Sequence, residues 1–266
     1  MQKACFPFLI ISIISLSFFT VSCSHNFYAP ATAQTPLFRE KGETQLSMHL
    51  GNGNEIEQSF QFQAAAAIDS NLAVYGNFYA ARGGYKNNDD PNNNGKGSQF
   101  ELALGYFNPI GARTSFELLG GTSYGMLTNN YSRLYQNQNE TKTSPYTIKS
   151  DFVKPFVQGN IGYRSPFFDA VFNLRIGYLH IGGINETFTI DSGYVPLPIE
   201  DVDRIKSTPG SMVLEPGITL RAGYEPLKVQ LHLGMSFNSN GDNYPQERTI
   251  FSIGVVGMFN STTRRN

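Results

Sequence analysis

The chain has 266 residues, room for one large β domain, and no compositional break divides it. Charged residues make up 15% of it against a usual ~25%, while Asn, Gln, Ser, Thr, Tyr and Gly are abundant, a mixture that suits a surface shared between lipid and a polar interior. The formal net charge of -1 provides no basic footprint and excludes a nucleic-acid partner of the electrostatic kind.

The first residues read as a secretory signal. Lys3 precedes an apolar run from Phe6 to Phe19, and Thr20-Val21-Ser22 leads to Cys23. That order resembles a bacterial lipoprotein signal, which implies cleavage after residue 22 and acylation of Cys23. Thr20 stands where Leu is common. Ordinary cleavage after Ala33, following Ala31-Thr32-Ala33, is the alternative, but it lies far beyond the apolar run. Cys5 would leave with the signal, so the mature chain would have no free thiol for a disulfide, a metal or catalysis. No later stretch approaches the ~18 continuous apolar residues of a membrane helix.

Residues 23–42 carry Pro30 and Pro36 without sustained periodicity and are expected to form a lipid-anchored periplasmic tether. From Glu43 the pattern changes to period two. Leu46, Met48 and Leu50 share a face, followed by Phe60, Phe62, Ala64, Ala66 and Ile68, then Leu72, Val74, Gly76, Phe78 and Ala80. An Asn-rich loop, 83–97, separates these from Phe100, Leu102, Leu104 and Tyr106 and, after a short turn, from Phe116, Leu118, Gly120, Thr122, Tyr124 and Met126. A long polar loop is expected over 128–150. Val153, Val157, Ile161 and Tyr163 follow, then Phe172, Leu174, Ile176 and Tyr178, and a second long loop over 182–211.

The clearest unit is the hairpin Met212 to Phe237. Its two strands alternate around Glu225-Pro226 and each is about as long as a tilted bilayer-crossing strand, ~9–11 residues. The last strand carries Phe251, Ile253, Val255 and Phe259. This makes ten strands in a barrel over 43–260, with a periplasmic tail over 261–266. Short links alternate with long polar ones, the asymmetry of an outer-membrane barrel with both termini in the periplasm.

A soluble barrel would point the apolar face inward. The opposite face here is mostly Gly, Ala, Ser, Gln and Asn, too small and too sparsely charged for a water-exposed exterior. Aromatics also form two girdles, with Tyr106, Tyr163, Tyr224 and Phe259 at the turn end and Phe60, Phe78, Phe100, Tyr124, Tyr178 and Phe237 towards the other. The all-β fold class expected is therefore a ten-stranded antiparallel transmembrane β-barrel.

Inside it, alternation places Glu101, Glu117, Lys154, Arg164, Arg175, Glu215, Arg221, Lys228, His49 and His232. Because an unpaired buried charge is costly, these groups are expected to pair across a filled lumen. A narrow polar conduit is the alternative. For catalysis, ten-stranded outer-membrane proteases as a class place Asp-Asp and Asp-His pairs at the extracellular rim. Asp89-Asp90 and Asp201-Asp203 are present without a loop His, and His180 is expected to face outward, so no catalytic set is assembled. The stretch from Asn87 to Gly97 has oxygen ligands but lacks the spacing and closing Glu of a calcium loop, so no metal and no cofactor is expected. In the second long loop, Tyr194-Val195-Pro196-Leu197-Pro198-Ile199 suits either a lid over the mouth or a partner contact.

Cys23, Tyr28, Pro30, Pro36-Leu37-Phe38 and Lys41-Gly42-Glu43 together resemble a family of small outer-membrane barrel lipoproteins of Bacteroidota. The resemblance covers about twenty residues and brings no established activity with it. Ser24-His25-Asn26 lacks the acidic residues that follow the cysteine in surface-exported lipoproteins of that group, which implies an anchor in the periplasmic leaflet. The expected role is a non-enzymatic structural or accessory subunit, in contact with outer-membrane lipid and a membrane-protein assembly. A narrow channel is second and an outer-membrane enzyme third.

Overall fold

The computed structural model describes residues 26–54, 56–84, 94–137, 140–188, 195–241 and 244–260. The signal (1–22), Cys23, Asp89, Asp90, Tyr194 and the tail (261–266) lie outside the described residues. Ten long strands form the wall: β1 (Glu43–Asn52), β2 (Gln58–Ala67), β3 (Leu72–Gly84), β4 (Asn94–Pro109), β5 (Thr114–Gln136), β6 (Thr141–Arg164), β7 (Phe168–Phe188), β9 (Gly210–Tyr224), β10 (Leu227–Met235) and β12 (Thr249–Asn260). Two short strands accompany them. β8 (Val195–Pro196) pairs with the tip of β5, and β11 (Phe237–Asn238) resumes pairing with β9 after the ladder breaks at Ser236.

Every neighbour is antiparallel, and β1 closes the ring on β12 in a register running from Glu43↔Asn260 to Asn52↔Phe251. Closure removes the sheet edge, so the wall leaves no unpaired strand in contact with lipid. The alternation has the expected sense. Leu46, Phe62, Leu102, Leu104, Val157, Ile176, Leu220, Leu231 and Ile253 are exposed on the outer wall, whereas Gln45, Gln61, Gln63, Gln99, Gln158, Asn160 and Gln230 are buried inside.

The strands differ from expectation in length. Residues 128–150 are not mainly a loop, because β5 and β6 continue through them and remain paired to Gln136↔Thr141. At 23 and 24 residues these strands exceed twice the span a bilayer requires. Beyond the lipid the outer face meets water, so the outward apolar signal fades while Tyr131, Tyr135, Tyr146 and Ile148 still point inward. β4 likewise starts at Asn94 and β7 runs to Phe188. The second long loop contains the helix α1 (Glu200–Ser207), whose Val202 and Ile205 are buried in a cluster with Phe27, Tyr28, Tyr146, Phe152 and Leu179. It folds into the mouth.

The main correction concerns the expected periplasmic tether. Residues 27–38 run through the lumen, and Phe27, Tyr28, Leu37 and Phe38 are each 0% exposed. Phe27 N–H donates to Pro245 O at 2.9 Å and Glu247 N–H to Tyr28 O at 2.8 Å, so this end sits among the long loops. The other end joins β1 beside the short turns, where Phe38 packs against Tyr75, Phe107, Leu119 and Met258. Period two is missing because the segment belongs to no sheet. Leu37 has a positive φ of 57°, and its side chain occupies space that a Cβ on Gly162 would take, 2.8 Å from its Cδ1. A flexible tether would tolerate loss of Phe38. We expect Phe38→Ala to lower the stability of the barrel by about 3–5 kcal/mol, measured as the urea midpoint of the difference in gel mobility between unboiled and boiled protein.

Candidate functional site

The lumen is the site, and the backbone of residues 26–38 is what its wall binds. An extended chain outside any ladder has buried N–H and C=O groups that require partners. The wall's side chains supply them. Thr32 N–H donates to Gln61 Oε1 at 3.0 Å, and Thr32 O accepts from Gln61 Nε2 at 2.9 Å and Gln63 Nε2 at 2.7 Å. Gln34 O accepts from Gln158 Nε2 at 2.7 Å and Asn160 Nδ2 at 2.9 Å. Arg221 Nη2 donates to Thr35 O at 2.7 Å and to Thr35 Oγ1 at 2.9 Å. Glu117 accepts from Phe38 N–H at 3.0 Å and from Asn160 Nδ2 at 2.8 Å, and Asn129 Nδ2 donates to Asn26 O at 3.1 Å. Pro30 and Pro36 bring no N–H, which reduces the number of donors to be met.

The expected lumenal charges fall into two groups. Nearer the mouth, Arg175 Nη1 meets Glu101 Oε1 at 2.9 Å and Lys154 Nζ meets Glu215 Oε2 at 3.0 Å, with Arg175 Nη1 3.8 Å from Glu215 Oε2. Two carboxylates face two cations. Tyr28 from the segment donates its hydroxyl to Glu215 and accepts from Lys154, so this cluster is completed by the inserted chain. Asn77 and Ser123 fill the remaining positions on Glu101, at 2.9 and 2.8 Å, while the Arg175 guanidinium lies over the Phe156 ring, 4.4 Å from its centroid.

Nearer the turns, Lys228 Nζ bonds Asp169 Oδ1 at 2.7 Å and Arg164 bridges Glu43 at 2.8 Å and Glu225 at 3.2 Å. Arg221 Nη1 approaches Asp169 Oδ2 at 3.9 Å. This group also balances, with Glu43, Asp169 and Glu225 against Arg164, Arg221 and Lys228. His49 bonds Ser47 and His232 bonds Thr219, each at 2.9 Å, so both lumenal histidines are engaged with hydroxyls.

Alternation in the sequence placed ten of these groups inside but missed Glu43 and Asp169, which stand on the same inward parity at the strand starts. It also missed Tyr28 and the backbone of Thr32, Gln34 and Thr35, whose role has no periodic signature. His180 faces outward, and Asp201 and Asp203 lie on α1. Among the described residues no cluster of three or more His, Cys, Asp or Glu is arranged to hold a metal ion. A cavity beside the mouth-side cluster, lined in part by Pro30, Ala33, Arg175, Glu215 and His232, measures ≈ 10 Å³, space for about one water.

A closed ten-stranded antiparallel wall, apolar outside and polar within, defines a barrel of the outer-membrane type. Solved structures agree on the fold. The chain is similar to the outer membrane protease OmpT from Escherichia coli at 9% identity and a TM-score of 0.52, covering 86% of this chain and 100% of that one. Weaker likenesses are the translocator domain of the autotransporter NalP from Neisseria meningitidis (12% identity, TM-score 0.46, 96% and 98% covered) and an outer membrane channel from Pseudomonas putida F1 (10%, 0.45, 86% and 100%). No protein family and no curated protein matches the sequence.

Breaking one partner of a buried pair strands the other charge, whereas replacing both by apolar groups removes the penalty. We expect Glu215→Ala to destabilise the barrel by about 3–5 kcal/mol and the double substitution Lys154→Met with Glu215→Leu to restore most of that loss. Urea titration of both variants by gel mobility measures the difference.

Proposed function

We propose that this chain is a non-conducting, non-enzymatic outer-membrane barrel lipoprotein that serves as an accessory subunit of a membrane assembly through its external extensions. The observation that carries this reading is the filled lumen. Residues 27–38 occupy the path a solute would take, and the wall's polar groups are spent on that segment's backbone. The region left free to act is the projecting β5–β6 hairpin and its neighbours. Arg133 lies over the Tyr146 ring at 4.7 Å, and Tyr131 packs edge-on to Tyr146 at 6.1 Å, which stiffens this projection. The lipoprotein signal ending at Cys23 and the Bacteroidota resemblance support the membrane-anchored part of the reading.

The channel reading requires an open conduit. Purified protein in a planar bilayer is expected to show no steady conductance; sustained current altered by Arg175 or Glu215 substitution would instead establish the channel. For the accessory role, the register pairs Asn130 with Thr147, so residues 131–146 can be replaced by a two-residue turn with matched strand ends. Native extraction in mild detergent should yield the full chain in a stoichiometric complex and the shortened variant, still shifted by boiling, without its partner. Isolation of the full chain alone would reject the accessory role.

A further inference from the structure

The direction of the lumenal segment has a consequence for where the chain begins. Asn26 is held at the loop end of the barrel by Asn129, followed by the contacts of Phe27 with Pro245 and Tyr28 with Glu247. Phe38, by contrast, reaches Glu117 and Phe107 near the short turns, and Gly42 N–H donates to Ala67 O at 2.9 Å beside the β2–β3 turn. Ten residue steps from 28 to 38 can reach at most about 33–36 Å, enough to span the ~30 Å thickness of the hydrocarbon layer. The segment therefore runs from the loop side of the lumen to the short-turn side. Short turns mark the periplasmic side and long loops the external side.

We propose that the mature chain begins at the cell surface: residues preceding Asn26 leave through the external mouth, and an acyl group on Cys23 is seated in the external leaflet. Cys23 lies three residues before Asn26, a reach of at most about 11 Å. From the loop end that reach falls well short of the periplasmic interface, across ~30 Å of hydrocarbon. The acidic signal expected after the cysteine of an exported lipoprotein is unnecessary here, because the barrel itself carries the N-terminus across. The proposal depends on the acylation of Cys23 only for the anchor; the surface exit stands on the segment's direction.

The test uses two cysteine reporters in cells, His25→Cys and, beside the periplasmic turns, Lys41→Cys, each checked for the folded gel shift and each label assigned by peptide mass spectrometry to the introduced cysteine rather than to Cys23. A membrane-impermeant maleimide should label His25→Cys on intact cells and Lys41→Cys only after permeabilisation. Folded His25→Cys that stays unlabelled on intact cells overturns the proposal, as does intact-cell labelling of Lys41→Cys to the same extent. Mass spectrometry of the N-terminal peptide from the unsubstituted protein tests the anchor separately. An acylated Cys23 together with surface labelling supports both parts. An unmodified Cys23, itself labelled from outside, retains the surface exit and overturns the anchor.

Discussion

The structure depends on hydrogen bonds from lumenal amides and charged groups to the backbone of one extended segment. A barrel wall satisfies its own peptide groups through the ladder, but a chain threaded through it does not. Each unpaired peptide group buried there would cost on the order of 1–3 kcal/mol. Gln61, Gln63, Gln158, Asn160, Arg221 and Glu117 remove that penalty at Thr32, Gln34, Thr35 and Phe38. The same contacts account for Gln61, Gln63 and Gln158 on the inward face of the wall. They serve as a solvent for a polypeptide.

The charges obey a related constraint. A barrel interior insulated from water tolerates ionised groups when each finds an opposite charge and further hydrogen bonds. Arg175 illustrates this, bonded to Glu101, to Gln158 at 2.9 Å and stacked on Phe156. Gln158 in turn donates to Gln34 O, and Asn77 connects Glu101 to Gln61. The mouth-side ion cluster and the segment's backbone are thus parts of one network, in which the loss of a single member leaves several groups unpaired. Tyr28 extends that linkage from within the segment, since its hydroxyl contacts both Lys154 and Glu215.

Much of the wall was legible in the sequence because a strand facing lipid on one side and polar groups on the other must alternate. Ile218, Leu220, Leu231 and Leu233 lie outside and Arg221, Gln230 and His232 inside, as period two requires. Strand ends were less legible where the lipid ends. Once Asn130 and Ser132 can meet water, the outer face of β5 no longer needs apolar residues and the strand resembles a loop. The lumenal segment was least legible. Phe27-Tyr28 and Leu37-Phe38 suggest burial, yet some of their partners lie more than two hundred residues away and leave no local periodicity, so Pro30 and Pro36 give the segment the look of a tether.

The strand number gives this segment its place. Eight strands make an interior that side chains alone can fill, and sixteen leave an aqueous channel. Ten strands exceed the first case slightly, by a width that suits one extended backbone with small side chains. The segment's middle supplies such side chains in Ala29, Ala31, Thr32, Ala33 and Thr35, while its bulky residues stand at the two ends. There the wall adjusts in opposite ways. Gly162 recedes to admit Leu37 near the turns, and near the mouth Phe152 meets Tyr28 edge-on at 5.3 Å while α1 closes over both. Large groups seal the ends and small ones pass the waist. A segment shaped in this way is matched to the barrel as a permanent part of its core, and Glu215, Lys154 and Arg221 would each lose a hydrogen-bond partner if it withdrew.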